Sequence, residues 1–348
     1  MSTTLPAPFL RDMEPGDSLA IAELAACSPE TGYISVYERF LVDPGSAFRA
    51  ESEAMDAVVA RSPDASQVIG CAMISYGKRT LDGEVVPGAL IHDVKVHPAH
   101  RGRSVGSALV RWCHARATAR LGRAALVLAF IQRGNRGSFN AFARDGIHGG
   151  PWFSVGMRKT RRWPPRPRPY EVRPATGAEL TRIAAELARF YQAHDLYTPH
   201  TDASLASWLA RSPLPEPIHE YWVAVDGAGS LLAGIGLTWR SRMTHLCFAP
   251  LPLPLRAANK VLRLVPPDRR VRVLVADKIW FRPDAARAGR YLWEYLCWHA
   301  RNGADVLRAN FDPHSPVSEI IGLAPWLPRA SIQACANRHP RGQRPICP

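Results

Sequence analysis

Lysine is scarce in this chain. Lys78, Lys95, Lys159, Lys260 and Lys278 are all there is in a basic total of 44, and arginine supplies the rest of a net charge of +14. Such a bias follows from GC-rich codon usage as readily as from any ligand. Positive charge alone attracts phosphates, acidic substrates or nucleic acid without choosing among them. No stripe interleaves basic with aromatic residues, so nucleic acid is not expected as a partner. Apolar runs are short, and none approaches the roughly 20 residues of a membrane span. The opening Met1-Ser2-Thr3-Thr4-Leu5-Pro6 has neither the basic nor the apolar region of a signal peptide. Seven cysteines are scattered with no C-x-x-C pair, which argues against a disulfide framework and a zinc cluster. No H-E-x-x-H occurs either, and no metal is expected. These absences fit a soluble protein of a reducing cytoplasm.

What is present is a globular composition, 47% hydrophobic and 21% charged, over 348 residues. One core rarely grows that large, so two domains are expected. A boundary is supplied by Arg158-Lys159-Thr160-Arg161-Arg162-Trp163-Pro164-Pro165-Arg166-Pro167-Arg168-Pro169, whose prolines favour a stiff, solvated path. The expected division is 1–160, a linker at 161–169, and 170–348. The two sides are laid out alike. Phe9-Leu10-Arg11 leads into Asp17 and the helical spacing Leu19, Ile21, Ala22, Leu24. Glu171-Val172-Arg173 likewise leads into Glu179-Leu180 and then Ile183, Ala184, Leu187, Phe190. Tyr33, Tyr37, Glu38 and Arg39 fall in a second expected helical region. Strands are expected at 57–60, 68–74, 91–96 and 126–131, and again at 221–225, 231–239, 271–281 and 306–311. The order predicts an α/β fold (an α+β mixed sheet) in two tandem copies.

The richest stretch is 90–146. Leu90-Ile91-His92-Asp93-Val94-Lys95-Val96 is followed by His97-Pro98-Ala99-His100-Arg101-Gly102-Arg103-Ser104-Val105-Gly106-Ser107. Val105, Ala108, Leu109, Trp112 and Cys113 then recur at helical spacing, with Arg111, Arg116 and Arg120 off that face. A strand ends at a proline, a basic glycine-containing turn follows, and a helix begins. Such a turn aims backbone N–H groups outward at the positive end of a helix dipole, where a phosphate can sit.

This order of parts resembles the acyl-CoA site of the GCN5-related N-acetyltransferase (GNAT) family. The family signature is V-x-V, a proline, then R-x-x-G-x-G or R-x-x-G-x-A opening a helix. Val94, Val96, Pro98, Arg101 and Gly106 match, while Ser104 stands where the first signature glycine is usual. A second family element follows the next apolar strand (124–131), and Asn135, Ser138, Phe142 and Gly146 occupy its offsets. With a degenerate second copy, the resemblance covers nearly the whole chain. It implies transfer of an acyl group from acyl-CoA, with acetyl-CoA the expected donor, to an amine. Residues implied to hold the donor are Val94, Val96, Arg101, Gly102, Arg103, Ser104, Val105, Gly106, Ser107, Asn135 and Phe142.

That chemistry makes definite demands. A lysine-like amine costs about 4.6 kcal/mol to deprotonate at pH 7, so a base or a dry pocket must help. The resemblance places Asp93 where an acidic residue is frequent, which makes it the candidate base. His92 ranks second, because neighbours on a strand point to opposite faces unless a bulge intervenes. Where the family often has a proton-donating tyrosine this chain has Phe142. Ser138 carries the nearby hydroxyl, although its ordinary role would be helix capping. Ser104 either takes positive φ, at about 1–2 kcal/mol for a non-glycine residue, or caps the helix; capping is expected.

In the second copy the corresponding turn reads Arg282-Pro283-Asp284-Ala285-Ala286-Arg287-Ala288-Gly289-Arg290-Tyr291, with one glycine and an acid close to any diphosphate. A scaffold that completes the acceptor site is expected there. Tyr191, His194, Asp195, Tyr197 and His200 are dense, and read as a helix end plus loop or as an acceptor wall. The acceptor is expected to be a small-metabolite, natural-product or peptide amine, and the protein a monomer or homodimer. Two alternatives remain open: a non-catalytic acyl-CoA-binding regulator, motivated by Phe142, and an acetyltransferase with a protein acceptor, motivated by the charge.

Overall fold

The computed structural model describes residues 8–29, 35–251, 265–322, 330–340 and 344–348, and the single positions 253, 256, 257, 259 and 342. Tyr33 lies outside the described residues. The first half opens with β1 (Phe9–Asp12), α1 (Ser18–Cys27), β2 (Val36–Phe40) and α2 (Pro44–Glu51). It continues through β3 (Met55–Arg61), β4 (Val68–Leu81), β5 (Glu84–Val96), α3 (Val105–Leu121), β6 (Leu126–Gln132), α4 (Arg136–Ala143) and β7 (His148–Lys159). The second half begins with β8 (Glu171–Pro174), α5 (Leu180–Phe190), α6 (Asp202–Ala210), β9 (His219–Val225), β10 (Leu231–Thr238), β11 (Thr244–Phe248) and β12 (Arg270–Val271). Then come β13 (Val273–Phe281), α7 (Ala286–His299), β14 (Val306–Phe311), α8 (Val317–Ile321) and β15 (Ala330–Ala336).

The repeat is visible at atomic detail. In the first half Arg11 grips Asp17 through two nitrogens, each 2.7 Å from a carboxylate oxygen. In the second half Arg173 grips Glu179 in the same way, at 2.9 and 2.7 Å. Both acids also close a capping box at the first helix. The same local problem, a strand feeding a helix start, has been solved twice with a bidentate arginine pair.

Twelve strands form one sheet in the order β1-β3-β4-β5-β6-β15-β7-β14-β13-β10-β9-β8. The halves do not merely abut. β7, which closes the first half in sequence, runs antiparallel beside β14 of the second, and β15 of the second lies between β6 and β7. Central strands such as β4, β6 and β10 carry continuous apolar runs because both faces are covered. Parallel pairs β5–β6 and β13–β14 need long crossovers, supplied by α3 and α7. Helix α3 buries Val105, Leu109 and Cys113 of the expected face together with Ser107, Val110 and Ala117, while Ala108 and Trp112 are half-buried.

One element differs from expectation. Tyr37, Glu38 and Arg39 lie in strand β2, not a helix, and pair with Cys247, Leu246 and His245 of β11 in a second, three-stranded sheet. Val-Tyr-Glu-Arg-Phe suits an extended chain, and its partner comes from about 200 residues away, beyond the reach of local periodicity. Residues 161–169 have no regular structure; Arg161 ties the segment to α7 through Glu294 at 2.9 Å.

Candidate active site

A cleft opens where two parallel strands part. β5 and β6 pair from Gly88↔Leu126 to Ile91↔Ala129 and no further, although they run on to Val96 and Gln132. Beyond that point β6 keeps its other neighbour, with Gln132 opposite Ile332 of β15. The edge of β5 at residues 92–96 is thereby left facing a cavity of about 2310 Å³, lined from both halves.

At the mouth of this cleft lies the turn expected to seat a phosphate. Pro98–His100 form one 3-10 turn, Arg101 is extended, and α3 starts at Val105. Gly102 (φ +75) and Ser104 (φ +62) turn the chain outward. No backbone hydrogen bond outside the helix engages the N–H groups of residues 102–107 among the described residues. The first turn of a helix leaves such groups without internal partners, so they are free for an anion. Arg101 Nε donates to the Val96 carbonyl at 3.3 Å and latches the turn to the strand end. A Cβ at Gly106 would meet Val96 Cγ2 at 3.7 Å and Ala141 Cβ at 3.9 Å, ordinary contacts, so protein packing does not demand glycine there. Val94, Val96, Arg101, Gly102, Ser104, Val105, Gly106 and Ser107 all border the cavity. Arg103 does not, and stands exposed in solvent. Ser104 departs from expectation: it occupies the N-cap position in a left-handed conformation and its side chain makes no cap bond. The turn needs positive φ there for the following helix to start beneath it, and that requirement overrides serine's capping preference.

The catalytic candidates come together through a bulge. The β4–β5 register slips between Cys71↔Lys95 and Met73↔His92, and Asp93 takes φ +51. Strand alternation is broken, so His92 and Asp93 both border the cavity instead of facing opposite sides. His92 Nδ1 lies 2.8 Å from Asp93 Oδ2, and Lys95 Nζ lies 3.7 Å from Asp93 Oδ1. Burial on its own would raise the Asp93 pKa. The hydrogen bond from His92 and the charges of Lys95, His92 and Arg240 outweigh it and hold the carboxyl well below the ordinary range. Asp93 is therefore an anion that accepts from His92 Nδ1–H, and in the neutral form of the ring this leaves Nε2 as an acceptor.

The second element is also assembled. Asn135 caps α4 by accepting from the Ser138 N–H at 3.1 Å. Capping thus falls to Asn135 rather than Ser138, and the Ser138 residue borders the cavity. Phe142 is 3% exposed, packed with Val105 and Leu109 in the core while touching the cavity wall. The second-copy turn is closed: a Cβ on Gly289 would meet Phe281 and Ile320 at 3.2 Å each, and none of residues 282–291 borders the cavity. Tyr191, Tyr197 and His200 line the cavity, whereas His194 bonds Ser315 at 3.0 Å and Asp195 accepts from the Asp82 N–H at 2.8 Å. The dense cluster splits into a wall and a brace. Among the described residues, no group of three or more His, Cys, Asp or Glu side chains converges on a metal-sized space.

Other lining residues carry no local sequence signal. Glu51 and Glu38 share Arg240, at 2.7 Å to Nε and 3.2 Å to Nη1 respectively, across the β2–β11 junction. Enclosure by the cavity walls pushes the Glu51 pKa up; Arg240 opposes this, and Glu38 and Asp93 add to it. In the second half a matching bulge lies between Gly234 and Gly236 of β10, where Lys278 of β13 takes φ +48. Asp277-Lys278 thus stand where His92-Asp93 stand in the first half. The repeated strand order is the signal that could have found them.

Residues 21–146 match the model of the acetyltransferase (GNAT) family. Among solved structures, N-myristoyltransferase of Saccharomyces cerevisiae with bound myristoyl-CoA is similar at TM-score 0.67 and 10% identity, over 98% of this chain and 81% of that one. A GCN5-related N-acetyltransferase from Kribbella flavida is similar at TM-score 0.52 and 16% identity, over 95% and 71%. A probable N-acyltransferase from Enterococcus faecalis is similar at TM-score 0.52 and 10% identity, over 95% and 72%. Among curated proteins no sequence matches the chain.

Proposed function

We propose, from the match of residues 21–146 to the acetyltransferase (GNAT) family model, an N-acyltransferase that carries an acyl group, acetyl by default, from acyl-CoA to an amine. Residues 1–160 and 170–348 are read as two copies of one unit joined at 161–169. The first copy holds the acyl-CoA substrate and the second shapes the acceptor side. One observation carries this reading: the free N–H groups of residues 102 and 104–107, the parted strands and the His92–Asp93 pair all open onto one cavity. Its volume, about 2310 Å³, exceeds the ~300–1,000 Å³ of a single small-ligand pocket and leaves room for donor and acceptor together.

In the proposed reaction the amine nitrogen attacks the thioester carbonyl carbon, the C–S bond breaks, and the surplus ammonium proton must leave. His92, oriented by the Asp93 carboxylate, receives that proton at Nε2. The exposed edge of β5 offers backbone N–H groups toward the thioester oxygen. The Ser138 hydroxyl, at the cavity wall, is positioned to support the departing thiolate in place of a side chain at 142. The acceptor is a small-molecule or peptide amine. Incubating the protein with acetyl-CoA and pools of such amines should yield free CoA thiol together with a product heavier by one acetyl group, read by mass spectrometry. Tight binding of acetyl-CoA with no turnover on any amine would instead favour a regulator.

A further inference from the structure

The acceptor's chemistry is written in the lobe of the cavity contributed by β4, α6 and β13. Four observations converge there. Arg79 of β4 borders the cavity, and its stem lies so close to β5 that a Cβ at Gly88 would stand 2.7 Å from Arg79 Cγ. Its guanidinium makes no ion pair among the described residues. Lys278 is turned into the cavity by the β13 bulge, 2.7 Å from Asp277 and 4.0 Å from the centre of the Trp208 ring. Tyr197, only 5% exposed, borders the same space.

Asp277 pairs with Lys278, whereas no ion pair of Arg79 occurs among the described residues. An ammonium has three donors and Lys278 uses one on Asp277, so further donors remain for an incoming oxygen. His200, which borders the same cavity, is held neutral: burial, then Lys278 and Arg79, pull its pKa to about 3. Both cations therefore act on one space, which Tyr191, Tyr197 and Trp208 wall with aromatic surface. Gly88, beside Arg79, lies eight residues back along β5 from Val96, roughly 27 Å at ~3.4 Å per residue, so this space is distinct from the phosphate seat.

Resting on the acyl-transfer reading, we propose that this lobe is a carboxylate subsite: the acceptor amine carries a carboxylate, gripped by Arg79 and Lys278, with its body against the aromatic wall. The planar guanidinium matches the two oxygens of a carboxylate.

The full-length protein, with and without CoA, is titrated calorimetrically with linear and aromatic carboxylic acids, each paired with its primary amide, and with inorganic phosphate. Acids should bind at least about tenfold tighter than their amides, the usual worth of a charge-assisted bond. Arg79→Met and Lys278→Met should each abolish that preference while CoA affinity is unchanged, and Arg79→Lys should restore part of it. The proposal is overturned if no acid outbinds its amide in the unaltered protein, if the preference survives both substitutions, or if phosphate binds tighter than every acid. Failure to bind CoA would sink the acyl-transfer reading, while the acid–amide comparison without CoA would still be readable.

Discussion

At single residues the backbone itself marks the site. Asp93, Ser104 and Lys278 each take positive φ, where side chains other than glycine are disfavoured, and all three border the cavity. Ser104→Gly should relieve its strain and raise stability by up to about 1 kcal/mol in chemical denaturation, whereas a loss of that size would mean the serine holds the turn. Gly106→Val should fold normally, since its Cβ meets only ordinary contacts, yet weaken acetyl-CoA binding at least about tenfold by crowding the seat. Asp93→Asn keeps the shape but cannot hold His92 as an acceptor, so kcat should fall by about 10²–10⁴ with little change in the KM for acetyl-CoA. A kcat within a few-fold of the unaltered protein would remove the pair from the mechanism. Much of this site was legible. Arg101, Gly106 and Asn135 sit at fixed offsets along a local chain, and local offsets survive in a sequence. The His92–Asp93 contact was not legible, because it depends on a one-residue slip between β4 and β5.

Secondary elements were readable where their periodicity is internal and misread where a distant partner decides. Helix α3 and strands β4 and β6 follow their own apolar pattern, whereas β2 is extended because β11 lies beside it. A pH-sensitive contact joins β9 to α2 and β10. His219 of β9 is 3% exposed, with Nε2 donating to the Ala50 carbonyl at 3.1 Å and Nδ1 3.0 Å from the Thr238 hydroxyl. Burial chiefly, against the Ala50 bond, lowers its pKa from 6.5 to about 4. The unfolded chain takes up a proton near pH 6.5 that the folded chain refuses, so stability is complete above that pH and falls toward pH 4. The loss should reach about 3 kcal/mol, and His219→Gln should flatten this part of the stability–pH curve measured by urea denaturation. An unchanged slope would mean that His219 is protonated in the folded state.

Across the whole molecule, the exchange of β7 and β15 makes one sheet of the two halves. Ending the chain at Gly322 removes the strand between β6 and β7 and exposes both edges, so the truncated protein should aggregate or unfold non-cooperatively, as followed by light scattering and two-probe denaturation. A soluble, cooperatively folded product would show that β15 is dispensable. This exchange was not legible from the parallel layout of the halves, since a swapped strand has the same local pattern as one that stays at home. The cavity belongs to the joined sheet, and its donor end is where the account is most directly exposed. Calorimetric titration of the full-length protein with acetyl-CoA should give one site per chain, weakened at least about tenfold in Gly106→Val. An absence of binding, or binding that Gly106→Val leaves untouched, would contradict it.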